Sequence, residues 1–132
     1  MTTPTPESVL AEQVTVQVVT RHLPEHLPSD SDKFAFAYQI TISNHNSCAV
    51  TLTHRYWLVT DANGKQIEVS GEGVIGKQPT INPGESFQYT SGSVLDTKVG
   101  TMQGYYEMKT DQGEQFRVPI APFRLALPNI IN

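Results

Sequence analysis

The stretch GEGVIGKQPTINPGE, Gly71–Glu85, decides between two architectures. It contains Gly71-x-Gly73-x-x-Gly76, the spacing of a dinucleotide-binding turn, and Gly71-x4-Gly76-Lys77, most of a phosphate-binding loop. The dinucleotide motif works only at a strand-to-helix junction, because the pyrophosphate sits on the free N–H groups of the helix's first turn. Pro79 and Pro83 stand where that helix interior would be, and each would remove a hydrogen bond and clash with the preceding turn. Gln78 also occupies the place where a phosphate loop needs the Ser or Thr hydroxyl that holds magnesium. With the helix gone, the βαβ unit goes with it. The glycines then read as an irregular crossing between sheets that takes positive φ or approaches another backbone closely. A looser alternative keeps Gly71, Glu72, Gly73, Gly76 and Lys77 as a ligand loop, a nest of backbone N–H groups plus one Lys. Such a loop would take a polyphosphate or dinucleoside polyphosphate, with a divalent cation bridging it to Glu72.

The segments on either side read as strands. Lys33–Ser43, KFAFAYQITIS, places Phe34, Phe36, Tyr38, Ile40 and Ile42 at strict period two, the mark of a half-buried strand. Gln13–His22 and Ala49–Asp61 are rich in β-branched and aromatic residues, and Asp61-Ala62-Asn63-Gly64 closes the second with an Asn-Gly turn. KQIEVS should return from that turn, and Asn82-Pro83-Gly84 forms another. Further strands are expected in ESFQYTSGSVL, TMQGYYEMKT, EQFRVPI and, as a separate final piece, PFRLALP. Seven or eight short strands without a convincing helical period predict an all-β sandwich, immunoglobulin-like or fibronectin type III-like; a small closed barrel is the structural alternative.

At 132 residues the chain fits one domain. Residues 1–12 are expected to form a flexible N-terminal tail, and 13–132 the sandwich. A net charge of -4 without a Lys/Arg cluster offers no footprint for nucleic acid. No apolar run approaches membrane-spanning length and the start lacks a secretory pattern, so a soluble, cytoplasmic protein without membrane insertion is expected. Cys48 has no intramolecular disulfide partner and reads as an inert thiol. His22-x3-His26 has metal-ligand spacing only on a helix, and prolines forbid one there, so no metal site and no cofactor are assigned. No nucleophile motif couples a Ser or Cys to a His and an Asp, and no catalytic residue is named. The PxxP match at Pro119–Pro122 reads as edge-strand protection.

The order and wording of RYWLVTDANGK, GEGVIGKQPTINPGESFQYTSG, GTMQGYYEM and PFRLALP, over about Val14–Leu127, resemble the bacterial ApaG family. Its motif residues correspond here to Arg55 and Trp57; to Gly71, Glu72, Gly73, Gly76, Gln78 and Pro79; to Pro83, Gly84 and Glu85; to Tyr89, Thr90, Ser91 and Gly92; and to Gly100, Thr101, Met102, Gly104 and Tyr106. Thr80 and Lys98 depart from the pattern, the first where an apolar residue is expected and the second where a Pro is. The resemblance implies the same sandwich, a link to cobalt resistance and magnesium efflux (hence the synonym CorD), and gene neighbourhood with a diadenosine tetraphosphate hydrolase. Related domains in F-box proteins and in a polymerase-interacting protein imply a module that binds another protein. The leading expectation is therefore a non-enzymatic interaction module with an unidentified protein partner. Its candidate surface is Arg55, Tyr56, Trp57, Tyr105 and Tyr106, because aromatic anchors dominate interfaces.

Overall fold

The structure, a computed structural model, describes residues 6–129. A short helix, α1 (Pro6–Glu12), leads into eight strands: β1 (Val14–His22), β2 (Phe34–Asn44), β3 (Val50–Asp61), β4 (Gln66–Glu72), β5 (Thr80–Ile81), β6 (Ser86–Leu95), β7 (Val99–Thr110) and β8 (Gln115–Ala126). They form two antiparallel sheets. One has the order β1-β2-β6; the other has the order β4-β3-β7-β8, with β5 added to β3. The expected β-sandwich of about eight strands is what the chain forms.

Alternation in β2 does what its period predicts. Phe36, Tyr38, Ile40 and Ile42 are buried between the sheets, while Gln39 is exposed on the other face. The opposing sheet contributes Leu52, Trp57 and Val59 from β3, Met102, Tyr106 and Met108 from β7, and Phe116, Val118, Ile120 and Leu125 from β8. Trp57 centres the contact, meeting Tyr38 at 5.6 Å, Phe123 at 5.7 Å and Tyr106 at 6.1 Å between ring centroids, all edge-on. Each such pair adds about 0.5–1.5 kcal/mol beyond the area it buries. The turns behave as expected: Gly64 and Gly84 take φ of 83° and 77°.

Three features differ from the sequence reading. Pro6–Glu12, expected within a flexible tail, forms α1 instead. Leu10 and Ala11 pack partly buried against the core, and the Leu10 carbonyl accepts from Asn46 Nδ2 at 3.1 Å. Residues 1–5 of that expected tail lie outside the described residues. EQFRVPI and PFRLALP are not separate strands but one, β8, which absorbs an irregularity where its register with β7 jumps from Gly104↔Ile120 to Met102↔Phe123. Ala121 and Pro122 fall in that jump, which lets Pro sit in a continuous strand without breaking the ladder. Finally, Pro24–His26, where prolines were expected to forbid a helix, forms a single 3-10 turn of three residues.

One buried polar centre had no sequence signal. Asn44 Nδ2 donates to the carbonyls of Cys48 and Ile81, both at 2.9 Å, and its Oδ1 accepts from Asn46 N and Asn46 Nδ2. Through these bonds the end of β2 holds the loop before β3, strand β5 and, by way of Asn46, helix α1. Three of these bonds are local, within four residues, whereas the bond to Ile81 and that from Asn46 to Leu10 join segments that only the folded chain brings together.

Candidate functional site

Strand β3 carries a bulge: Leu52 pairs with Met108, and the next paired residue, His54, faces Glu107. The extra residue, Thr53, reorients everything after it. Arg55, Trp57 and Val59 thereafter point toward the core, and His54 and Tyr56 toward the open face of the sheet.

Strand pairing sets residues of that open face side by side. One row runs Glu72, His54, Glu107 and Arg117 across β4, β3, β7 and β8; the next runs Ser70, Tyr56, Tyr105 and Pro119. The Tyr56 and Tyr105 rings stack at 5.0 Å with 23° between their planes, and the Arg117 guanidinium lies 3.9 Å over the Tyr105 ring. Tyr56 Oη donates to Glu68 Oε2 at 2.9 Å, and this bond is the first cause that holds its phenol pKa above the ordinary value. Arg117 Nη2 also approaches Glu107 Oε1 at 3.6 Å. The result is an aromatic platform edged by Glu68, Glu72 and Glu107, with Arg117 already engaged over the Tyr105 ring and the exposed Lys109 farther along β7 on the same face. The chemistry of such a surface suits a flat apolar or cationic group.

The glycine segment borders the same face. Val74 and Lys77 form a two-residue hairpin, each amide donating to the other's carbonyl at 2.8 and 2.9 Å, and Gly73 N donates to the Thr53 carbonyl at 2.8 Å. Gly73 has φ of 60°, and a Cβ there would lie 1.9 Å from the Lys77 carbonyl oxygen, so no other residue fits. From the core side, Arg55 Nη1 donates to the carbonyls of Glu72 and Gly73 at 3.1 and 3.0 Å, and the exposed Gln78 donates from Nε2 to the Thr53 carbonyl at 3.0 Å. The loop is thus a clamped hairpin. The amides of Gly73, Val74 and Lys77, which an anion nest would have used, are spent within it. Gly76 and Lys77 are exposed, as is the hairpin's other central residue, Ile75, with φ of 45°.

Of the five residues in the candidate surface, Tyr56 and Tyr105 come together on the open face. Trp57 (2% exposed) and Tyr106 (fully buried) do not belong there: alternation after the bulge turns Trp57 into the core, and the unbroken alternation of β7 turns Tyr106 there as well. Arg55 shares their side of the sheet and works from beneath, fastening the loop. The sequence reading missed Glu68, Glu107 and Arg117, which surround the stack only because β4 and β8 flank β3 and β7. His22, at the end of β1, packs on Phe36 at 5.5 Å, and His26 ends the 3-10 turn. Among the described residues, no group of three or more His, Cys, Asp or Glu is placed to hold a metal ion, and no helix is long and apolar enough to cross a membrane.

Comparison with known proteins places this geometry in context. A family model described as the ApaG domain matches residues 24–110. A protein named ApaG from Pseudomonas putida (strain W619) is 51% identical over 120 residues, covering 91% of this chain and 95% of its own length. An X-ray structure of a structural-genomics target is similar with a TM-score of 0.88 at 45% identity, covering 93% of each chain. A crystal structure from Bordetella pertussis, described as an ApaA protein, is similar with a TM-score of 0.85 at 42% identity, covering 89% of this chain and 95% of that one.

Proposed function

This chain belongs to the ApaG family, and on that premise we propose that it is a cytoplasmic, non-catalytic protein-interaction module that binds its partner on the open face of the β4-β3-β7-β8 sheet. The observation that carries the reading is the Tyr56–Tyr105 stack. Two rigid rings with few rotatable bonds offer contact area at low entropic cost, and Glu68, Glu72 and Glu107 around them favour a partner that presents basic side chains. The family's link to cobalt resistance and magnesium efflux then acts through the bound partner. A polyphosphate-binding loop is the weaker reading, because three of its amide donors are already engaged.

The test is a photo-crosslinking residue placed at Gln103, exposed on the same face beside Tyr105, and separately at Gln17 on the outer face of the other sheet. A partner crosslinked in cells from position 103 and not from 17, and lost in a Tyr105→Ala background, is the expected result. Equal crosslinking from both positions refutes the assignment of the face.

A further inference from the structure

Val74 and Lys77 pair with two residues between them, and both of those residues have positive φ, 45° at Ile75 and 76° at Gly76. A two-residue turn of this kind takes Asn-Gly or Gly-Gly by preference, because a Cβ in the left-handed region crowds the following carbonyl. Gly76 suits it. Ile75 does not, since branching at Cβ narrows its choice of backbone further. Asn129, the one other non-glycine residue with positive φ among the described residues, is of a type that tolerates it. Burial does not explain the isoleucine, which is 50% exposed. Val9, Val19, Ile67, Val69 and Val94 are exposed as well, but none of them has positive φ. What holds Ile75 in place is the frame beneath it: Gly73 N and Gln78 Nε2 donate to the Thr53 carbonyl, and Arg55 donates to the carbonyls of Glu72 and Gly73, so both arms of the turn are fixed. Strain that surrounding bonds over-determine in this way clusters at sites of contact and switching. Beside Ile75 the turn presents Lys77, the only charged residue from Gly73 to Gly84, exposed and paired with no carboxylate among the described residues.

We infer that Ile75 is a contact residue: the clamped turn inserts its side chain into an aliphatic pocket of a partner protein, and Lys77 meets an Asp or Glu at the rim of that pocket. The inference deepens the proposed function and rests on it only in taking the chain to be an interaction module. The turn borders the open face, but its contact does not require the Tyr56–Tyr105 stack. A polyphosphate fits this turn less well than a protein does, because an apolar tip adds nothing to the binding of an anion and the amides of Gly73, Val74 and Lys77 are engaged. A second copy of this chain also fits less well. It offers an aliphatic cleft between Val59, Ile67, Val94 and Leu95, but both carboxylates at that cleft are taken, Asp96 by Lys33 and Lys65 and Asp61 by the amides of Asn63 and Lys65. Lys77 would find no free partner there.

The experiment joins stability to contact, because the two should move in opposite directions. Asn suits the left-handed region, so Ile75→Asn should raise the folding constant measured by urea unfolding about fivefold. The same substitution should abolish the adduct that a diazirine analogue of lysine at position 77 forms with the partner in cells. Ile75→Val, which keeps a branched apolar side chain, should retain that adduct, and the crosslinked peptide read by mass spectrometry should carry Asp or Glu among aliphatic residues. No adduct at position 77, an adduct unchanged by Ile75→Asn, an adduct to a second copy of this chain, or an Ile75→Asn variant no more stable than the native protein each overturns the inference. Crosslinking from position 103 and not from 77 refutes the contact at Ile75 and leaves the open face standing; crosslinking from 77 and not from 103, lost in Ile75→Asn, does the reverse.

Discussion

The hydroxyls of Tyr89 on β6 and Tyr106 on β7 hydrogen-bond to each other across the interface between the two sheets. Burial, the largest cause for both phenols, raises their pKa values well above the ordinary range for tyrosine. Below about pH 10 both phenols are neutral in folded and unfolded chains alike, so stability does not depend on them there. Above it the unfolded chain loses protons that the folded chain retains, so stability falls with rising pH. Urea midpoints between pH 7 and 11 should therefore drop more steeply for the native protein than for Tyr89→Phe/Tyr106→Phe; equal slopes would exclude these phenols as the cause.

At neutral pH the same pair should show coupling. Tyr89→Phe leaves the Tyr106 hydroxyl buried without its partner, at a cost of about 1–3 kcal/mol, whereas removing both hydroxyls costs less than the two single changes together. A double-mutant cycle by denaturant unfolding measures this, and strict additivity would show that the bond contributes nothing.

Arg55 should control the glycine hairpin. Arg55→Lys cannot reproduce the Nη1 fork onto Glu72 and Gly73, and a loss of about 1.5–3 kcal/mol is expected, with faster hydrogen exchange at the Gly73, Val74 and Lys77 amides than at core β7 amides. Uniform acceleration across both regions would mean that Arg55 supports the whole domain and not the loop.

Gly104 sits where β7 crosses closest to β3. A Cβ at that position would lie 1.8 Å from the Tyr56 carbonyl oxygen, so Gly104→Ala must spread the two central strands. Destabilisation of about 3 kcal/mol is expected, with loss of the Tyr56–Tyr105 stack as these strands separate. A variant with native thermal stability would contradict the close approach.

Asn44→Leu keeps the branched shape and removes the hydrogen bonds, leaving the Cys48 and Ile81 carbonyls and the Asn46 amide short of a partner. A loss of about 3 kcal/mol or more is expected, accompanied by increased proteolysis near α1, which Asn46 ties down through Leu10. Cleavage confined to a distant turn such as Asp111–Gly113 would argue against that coupling.

Sequence alone determined the properties that neighbouring residues settle among themselves. The period-two run from Phe34 to Ile42 defines a strand because side chains alternate by local geometry. Pro79 and Pro83 abolish the helix that a phosphate motif requires because each acts on its own turn. Asn63-Gly64 and Pro83-Gly84 mark turns by their own φ preferences, and the wording of the long motifs placed the chain in its family. Tertiary structure alone decided which aromatics are presented. Tyr56 and Trp57 are adjacent in the chain, as are Tyr105 and Tyr106, and composition cannot choose between them. The choice follows from the bulge at Thr53, the long-range register of β3 with β7, and the second sheet that covers only one face. The same register gathered Glu68, Glu107 and Arg117 around the stack, joined two expected strands into β8, and held Pro6–Glu12 as a helix against a core that a seven-residue segment cannot supply for itself.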